Sequence, residues 1–124
     1  MNGTTDPPQV LGSRGERIAT AFLRRKGYQI LETGFRFGRG EIDIIARDGE
    51  YLVFVEVKTR SDLHYGGAEE AVDKEKRCQI RKVALGYLYR LHGALPFCRF
   101  DVVAVSSDSR SNRYNVRHFP NAFE

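Results

Sequence analysis

Cysteine is scarce in this 124-residue chain, and long apolar runs are missing from it. The two cysteines, Cys78 and Cys98, lie twenty residues apart and neither belongs to a CxxC pair. A disulfide framework is therefore not expected, and two reduced, packed thiols are the default. His64, His92 and His118 show no zinc-type spacing with either cysteine. No apolar stretch approaches the ~20 residues that a membrane helix needs. Residues 1–10 are polar and include Asp6 and Pro7-Pro8, which argues against a signal peptide. Internal repeats and low-complexity blocks are absent as well. Neither sign of charge dominates: 20 Lys and Arg stand against 16 Asp and Glu, for a net +4. That balance permits nucleic-acid binding without demanding it. What remains is a cytoplasmic globule with no membrane partner. It is 41% hydrophobic and 29% charged, and long enough to bury about two thirds of its unfolded surface in one domain.

The expected organisation is a flexible tail over residues 1–12 and a single domain over 13–124. Ser13-Arg14-Gly15-Glu16 fits a capping box, which predicts a helix from Arg14 to Lys26 with Ile18, Ala19, Phe22 and Leu23 as its buried stripe. Gly27 is its stop signal. A short strand is predicted over Tyr28–Thr33, then a glycine-rich loop through Gly34, Gly38 and Gly40. Glu41–Ala46 and Tyr51–Thr59 read as a hairpin around Asp48-Gly49. After a loop over 61–67, a helix fits Asp73–His92, with stripe residues Ile80, Val83, Ala84, Tyr87, Leu88 and Leu91. Arg99–Val105 and Tyr114–Phe119 close the chain as strands around a hairpin loop at Ser106–Asn112. The fold class is α/β, built on one mixed sheet.

The hairpin gathers acidic residues. With Asp48-Gly49 as the turn, Arg47 faces Glu50, Asp43 faces Phe54 and Glu41 faces Glu56. Glu41, Asp43, Phe54, Glu56 and Lys58 then share one face, with Asp43 and Glu56 as diagonal neighbours able to reach a common ion. Three clustered carboxylates repel one another unless something positive neutralises them. Lys58 supplies one charge, and a hard, oxygen-seeking cation, Mg²⁺ or Mn²⁺, would supply two more. The competing reading is a row of cross-strand ion pairs on a solvated face. Leu52-Val53-Phe54-Val55 weighs against it: a strand apolar on both faces is covered, and charge at its end is costly unless paired or used. Glu16 has two open roles, the N3 position of the capping box or a fourth member of the cluster.

Lys74, Arg77 and Arg81 are spaced to form a basic ridge on the second helix, which is either a phosphate track or an ordinary solvated face. Arg36 and Arg39 lie in the glycine-rich loop, where arginine forks and backbone amides can meet phosphates. Arg60 adds charge. Tyr65 is the best placed aromatic for stacking on a base. Phe119, Ala122 and Phe123 either fold back on the sheet or pack on a partner.

Gly40-Glu41-Ile42-Asp43-Ile44-Ile45-Ala46 followed by Val53-Phe54-Val55-Glu56-Val57-Lys58-Thr59-Arg60 resembles the PD-(D/E)xK nuclease signature. From Gly12 to Phe123 the chain resembles the YraN family, also called UPF0102. Gly15-Glu16, Gly27-Tyr28-Gln29-Ile30-Leu31, Lys76, Ala84 with Tyr87-Leu88, Arg99-Phe100-Asp101-Val102-Val103 and Asn121-Ala122-Phe123 carry that resemblance. It implies a restriction endonuclease-like fold: a central mixed five-stranded sheet flanked by helices. It also implies kinship with archaeal Holliday-junction resolvases, whose site positions correspond to Glu16, Asp43, Glu56 and Lys58. Ile42 stands where the strict Pro-Asp pair has proline. The implied function is a metal-dependent endonuclease on DNA, of branched or damaged structure. Asp43, Glu56 and the Val57 carbonyl would hold Mg²⁺ or Mn²⁺. Glu16 or Glu41 would add a ligand, and Lys58 would act on the reacting phosphate. Arg36, Arg39, Arg60, Lys74, Arg77 and Arg81 would track the DNA backbone. A homodimer would suit a two-fold substrate. The alternative is a non-catalytic nucleic-acid-binding module on the same fold.

Overall fold

The computed structural model describes residues 8–60, 73–108 and 113–124. The loop after the second hairpin strand, with His64 and Tyr65, lies outside the described residues, as do residues 1–7 and the tip of the last hairpin.

Seven elements follow in order: α1 (Pro8–Arg25), β1 (Gln29–Phe37), β2 (Gly40–Asp48), β3 (Tyr51–Arg60), α2 (Lys74–Leu88), β4 (Phe97–Asp108) and β5 (Arg113–Phe123). The strands form one sheet in sequence order. Only β3 and β4 run parallel, a pairing that needs a long crossover, which α2 supplies between them. The sheet is thus mixed and five-stranded, with a helix on each face, an architecture compatible with the restriction endonuclease-like fold.

Each helix buries the stripe that its periodicity predicts. Ala19 and Leu23 of α1 pack on Ile44, Ala46, Val53, Val55, Val103 and Val105. Ile80, Val83, Ala84 and Tyr87 of α2 cover Ile42, Ile45, Leu52, Phe54 and Val102 on the opposite face. β3 is buried on both sides, as its unbroken apolar run requires. Phe123 stacks on Phe100 at 5.1 Å, and Phe119 and Ala122 join the α2-side core. The C-terminal apolar residues therefore fold back on the sheet. Both cysteines are free but exposed, not packed.

Several boundaries differ from expectation for identifiable reasons. α1 starts at Pro8, so residues 8–12 of the expected tail are helical. Proline suits the first turn of a helix, where its missing N–H has no partner to lose. Ser13 then lies inside the helix and the capping box does not form. At the other end Gly27 takes φ +97, and the Tyr28 and Gly27 amides bond back to Leu23 and Arg24 carbonyls, a Schellman stop. Asp73 caps α2 as expected, its Oδ1 accepting from the Lys76 amide at 2.8 Å. α2 ends at Leu88, before Gly93, because Arg90 and Leu91 tighten into i→i−3 bonds with Tyr87 and Leu88. The glycine-rich loop is instead strand: β1 continues to Phe37 and only Gly38-Arg39 turn.

Candidate functional site

The β2–β3 turn places Gly49, at φ +60, and Glu50 at its centre, and Asp48 pairs with Tyr51. This moves the expected pairing by two residues, so Asp43 does not face Phe54. The ladder runs only as far as Ile44 and Val55. Beyond it the Val57 amide donates to Asp43 Oδ2 at 2.7 Å. A side chain thus takes the place of the next backbone partner, and the two strands part.

Alternation slips at the same point. Ile42 belongs to the core under α2, while Ile44, two residues on, belongs to the core under α1. In a regular strand both would share a face. The slip lets Asp43 and Glu41 meet Glu16, which projects from α1. Phe54 stays in the core beneath α2. The expectation of one face shared by Glu41, Asp43, Phe54, Glu56 and Lys58 is thereby corrected.

Glu16, Glu41 and Asp43 each bring one carboxylate oxygen to within 4.8 Å of the other two. Burial pushes the Asp43 carboxyl up to about 8, with the charges of Glu56 and Glu16 adding to the rise against the Val57 hydrogen bond. Burial also raises Glu16, and Glu41 adds to it. Glu56 is buried beside them and is held by two ammonium groups, Lys58 Nζ at 3.5 Å and Lys76 Nζ at 3.6 Å. Arg36 Nη2 lies 3.3 Å from Glu41 Oε1 at the exposed edge. Among the described residues no cation pairs with Asp43 or Glu16. Clustered, partly desolvated carboxylates without a counter-charge fit a hard divalent cation. Val57 enters the site through its amide.

Glu16 can reach the cluster because its neighbour is glycine. A Cβ on Gly15 would collide with Thr59 Cγ2 on β3. Gly15→Ala gains up to about 1 kcal/mol of helix propensity, yet overpacking against a β-branched strand residue costs about 1–3 kcal/mol. A lower Tm is expected by thermal denaturation; an unchanged or higher Tm would mean that α1 yields freely at this contact.

The expected basic residues divide. Arg36 sits on β1 instead of a loop and serves Glu41. Arg77 lies 5.9 Å over the Phe123 ring, and Arg81 Nη1 donates to the Glu124 carbonyl. Both therefore brace the end of β5. Lys74 and Arg60 are exposed, the latter bonded to the Thr59 carbonyl. Arg39 lines an open groove of about 490 Å³ between the β1–β2 turn and α2, together with Phe37 and Lys82. Lys76 was not singled out from sequence as a site residue. The signal was its place in the first turn of α2, but 61–72 separate it from β3 and hide the approach to Glu56.

A second polar centre also escaped the sequence. Asp101 on β4 is fully buried and accepts from Arg99, His118 Nε2 at 2.8 Å and the Asn121 amide at 2.9 Å. Lys26 Nζ lies 2.8 Å from His118 Nδ1. An ammonium can only donate, which makes Nδ1 the acceptor and assigns the proton to Nε2.

Comparison with known proteins bears on the whole chain. The profile of "Uncharacterised protein family UPF0102" matches residues 15–105. A UPF0102 protein of Chlorobaculum tepidum is 49% identical over 120 residues, which is 94% of this chain and 93% of that one. One from Pelobacter propionicus is 51% identical over 115 residues, 91% of this chain and 81% of that one. A third, from Geobacter sulfurreducens, is 46% identical over 116 residues, 94% and 90% of the two chains.

Proposed function

The chain belongs to the UPF0102 family, and from that premise we propose that it is a divalent-metal-dependent nuclease that hydrolyses phosphodiester bonds in DNA of branched or damaged structure. The observation that carries this reading is the meeting of Glu16, Glu41 and Asp43, without a counter-cation on Asp43 or Glu16, beside the Glu56–Lys58 pair.

Asp43, Glu41 and Glu16 are the residues that would hold Mg²⁺ or Mn²⁺, with Glu56 at the edge of the set. When bound, such an ion polarises a phosphate oxygen and lowers the pKa of a water. The protein's own contribution is positional. Val57 fixes the Asp43 carboxylate through its amide. Glu56 aligns Lys58, whose ammonium presents donors to the charge that develops on the phosphate. Lys76 gives Glu56 a second partner, so that Lys58 can turn toward substrate without leaving a buried carboxylate unpaired. Arg36 restrains Glu41 at the solvent side.

The test is a cleavage assay on single-stranded, duplex, flapped and four-way-junction DNA, with Mg²⁺ or Mn²⁺ against EDTA. Cutting is expected only with the metal, and Lys58→Ala is expected to slow it roughly 10²- to 10³-fold. Binding without cutting on every substrate would make the chain a binding module. Neither binding nor cutting would leave the carboxylates without a DNA role.

A further inference from the structure

Resting on that nuclease reading, we infer that the outer face of α1 is the strand guide: Arg17 and Arg24 grip two phosphates of the nucleic-acid strand whose scissile phosphate reaches the carboxylates past Glu16.

An open cavity of about 470 Å³ lies on this face, lined by Ser13, Glu16, Arg17, Thr20, Arg24 and Thr33. Glu16 is a wall of this cavity and a member of the carboxylate cluster at once. Whatever fills the cavity is therefore next to the proposed reaction centre. Arg17 and Arg24 are both exposed. Among the described residues neither has a hydrogen bond, an ion pair or a ring to stack on. Arg36, by contrast, is occupied by Glu41, Arg77 by Phe123 and Arg81 by Glu124, while Arg39 and Lys74 do not line the cavity that Glu16 shares.

Spacing sets the ligand class. Residues i and i+7 lie on one helix face, two turns and about 10.5 Å apart along the axis. Arms that leave the helix side by side keep their guanidinium forks about that far apart, a spacing that two phosphates of one chain fill without either arm folding inward, and each fork matches phosphate geometry. The Ser13 and Thr33 hydroxyls add neutral donors to the same cavity. Among the described residues no aromatic ring lines the cavity, so the grip falls on the backbone and not on base edges.

The experiment uses the full chain carrying Asp43→Asn, so that binding is read without cutting, with wild-type cleavage measured in parallel. Anisotropy of a labelled single strand and of a four-way junction gives Kd against salt. Arg17→Ala/Arg24→Ala is expected to weaken binding roughly tenfold or more and to lower the salt slope by about 1.4 to 1.8, the loss of two phosphate contacts. Arg17→Lys/Arg24→Lys should recover most of the slope. Arg47→Ala/Arg113→Ala removes the same charge from exposed positions elsewhere and should change the slope by less. An unchanged slope in the α1 double variant, while wild type binds and cuts, overturns this inference and leaves the nuclease standing. Equal losses in the two double variants also overturn it, as a bulk charge effect. A wild-type chain that neither binds nor cuts overturns both.

Discussion

Asp43→Asn is expected to abolish cutting, a fall of roughly 10³-fold or more, and yet to melt above the parent chain in EDTA. The two halves have one cause. Asparagine keeps an oxygen for the Val57 amide, so the local geometry persists. What it removes is a charge that burial and Glu56 oppose. A carboxyl raised in the folded state costs stability that builds up as pH rises from its unfolded value near 4 and levels off past the folded value of about 8. Removing the group removes that cost. The variant should therefore gain on the order of 1–2 kcal/mol at pH 8 and much less near pH 4. Saturating Mn²⁺ reverses the order, because the parent gains about 2.7 kcal/mol at a hundred times Kd and the variant does not. Differential scanning calorimetry at the two pH values, with and without Mn²⁺, reads all of this. A variant that cuts at the parental rate removes Asp43 from the site. One that melts lower in EDTA removes the claim that the cluster is strained.

Asp101→Ala should show the largest loss of stability, about 3–5 kcal/mol, enough to lower Tm by on the order of 10–20 °C. Asp101 is buried on β4 and anchors three elements. Arg99 bonds it at 3.0 and 3.1 Å, His118 reaches it from β5, and Tyr28 from the α1–β1 junction at 3.4 Å. Arg99 also contacts Asp48 at the β2–β3 turn. Truncation would strand the Arg99 Nε–H, an imidazole N–H and the Asn121 amide without their acceptor, leaving Asp48 as the one carboxylate on the guanidinium among the described residues. The pH profile separates this from ordinary cavity formation. Burial alone would raise the Asp101 carboxyl, but the hydrogen bonds from His118, Arg99 and Asn121 outweigh it and hold it below the usual range. A depressed folded value gives stability that is present above the unfolded value and lost as pH falls through the folded one. The parent's urea midpoint should thus decline below about pH 4, and the variant's should be flatter there. Parallel acid limbs would show that Asp101 carries no such linkage.

These two aspartates mark where local sequence reading succeeds and where it ends. The amino-acid order determined the helical stripes of α1 and α2, the Asp73 cap, the Gly27 stop, the two-faced apolar β3 and the α/β class. Each is a pattern of period 3.6 or 2, or a single turn, and needs only neighbours along the chain. It also put Glu41, Asp43, Glu56 and Lys58 within reach of one another, because a short hairpin fixes its own proximity. Tertiary structure decided the rest. The pairing of Asp48 with Tyr51 and the slip at Asp43 depend on which core each isoleucine fills. Glu16 joins the cluster because α1 crosses β3 at a glycine. Lys76 arrives from α2, Arg77 and Arg81 are drawn to the end of β5, and Asp101 gathers donors from 2 to 73 residues away. Such contacts arise from packing two helices against opposite faces of one sheet, and no local period encodes which distant charge will meet which.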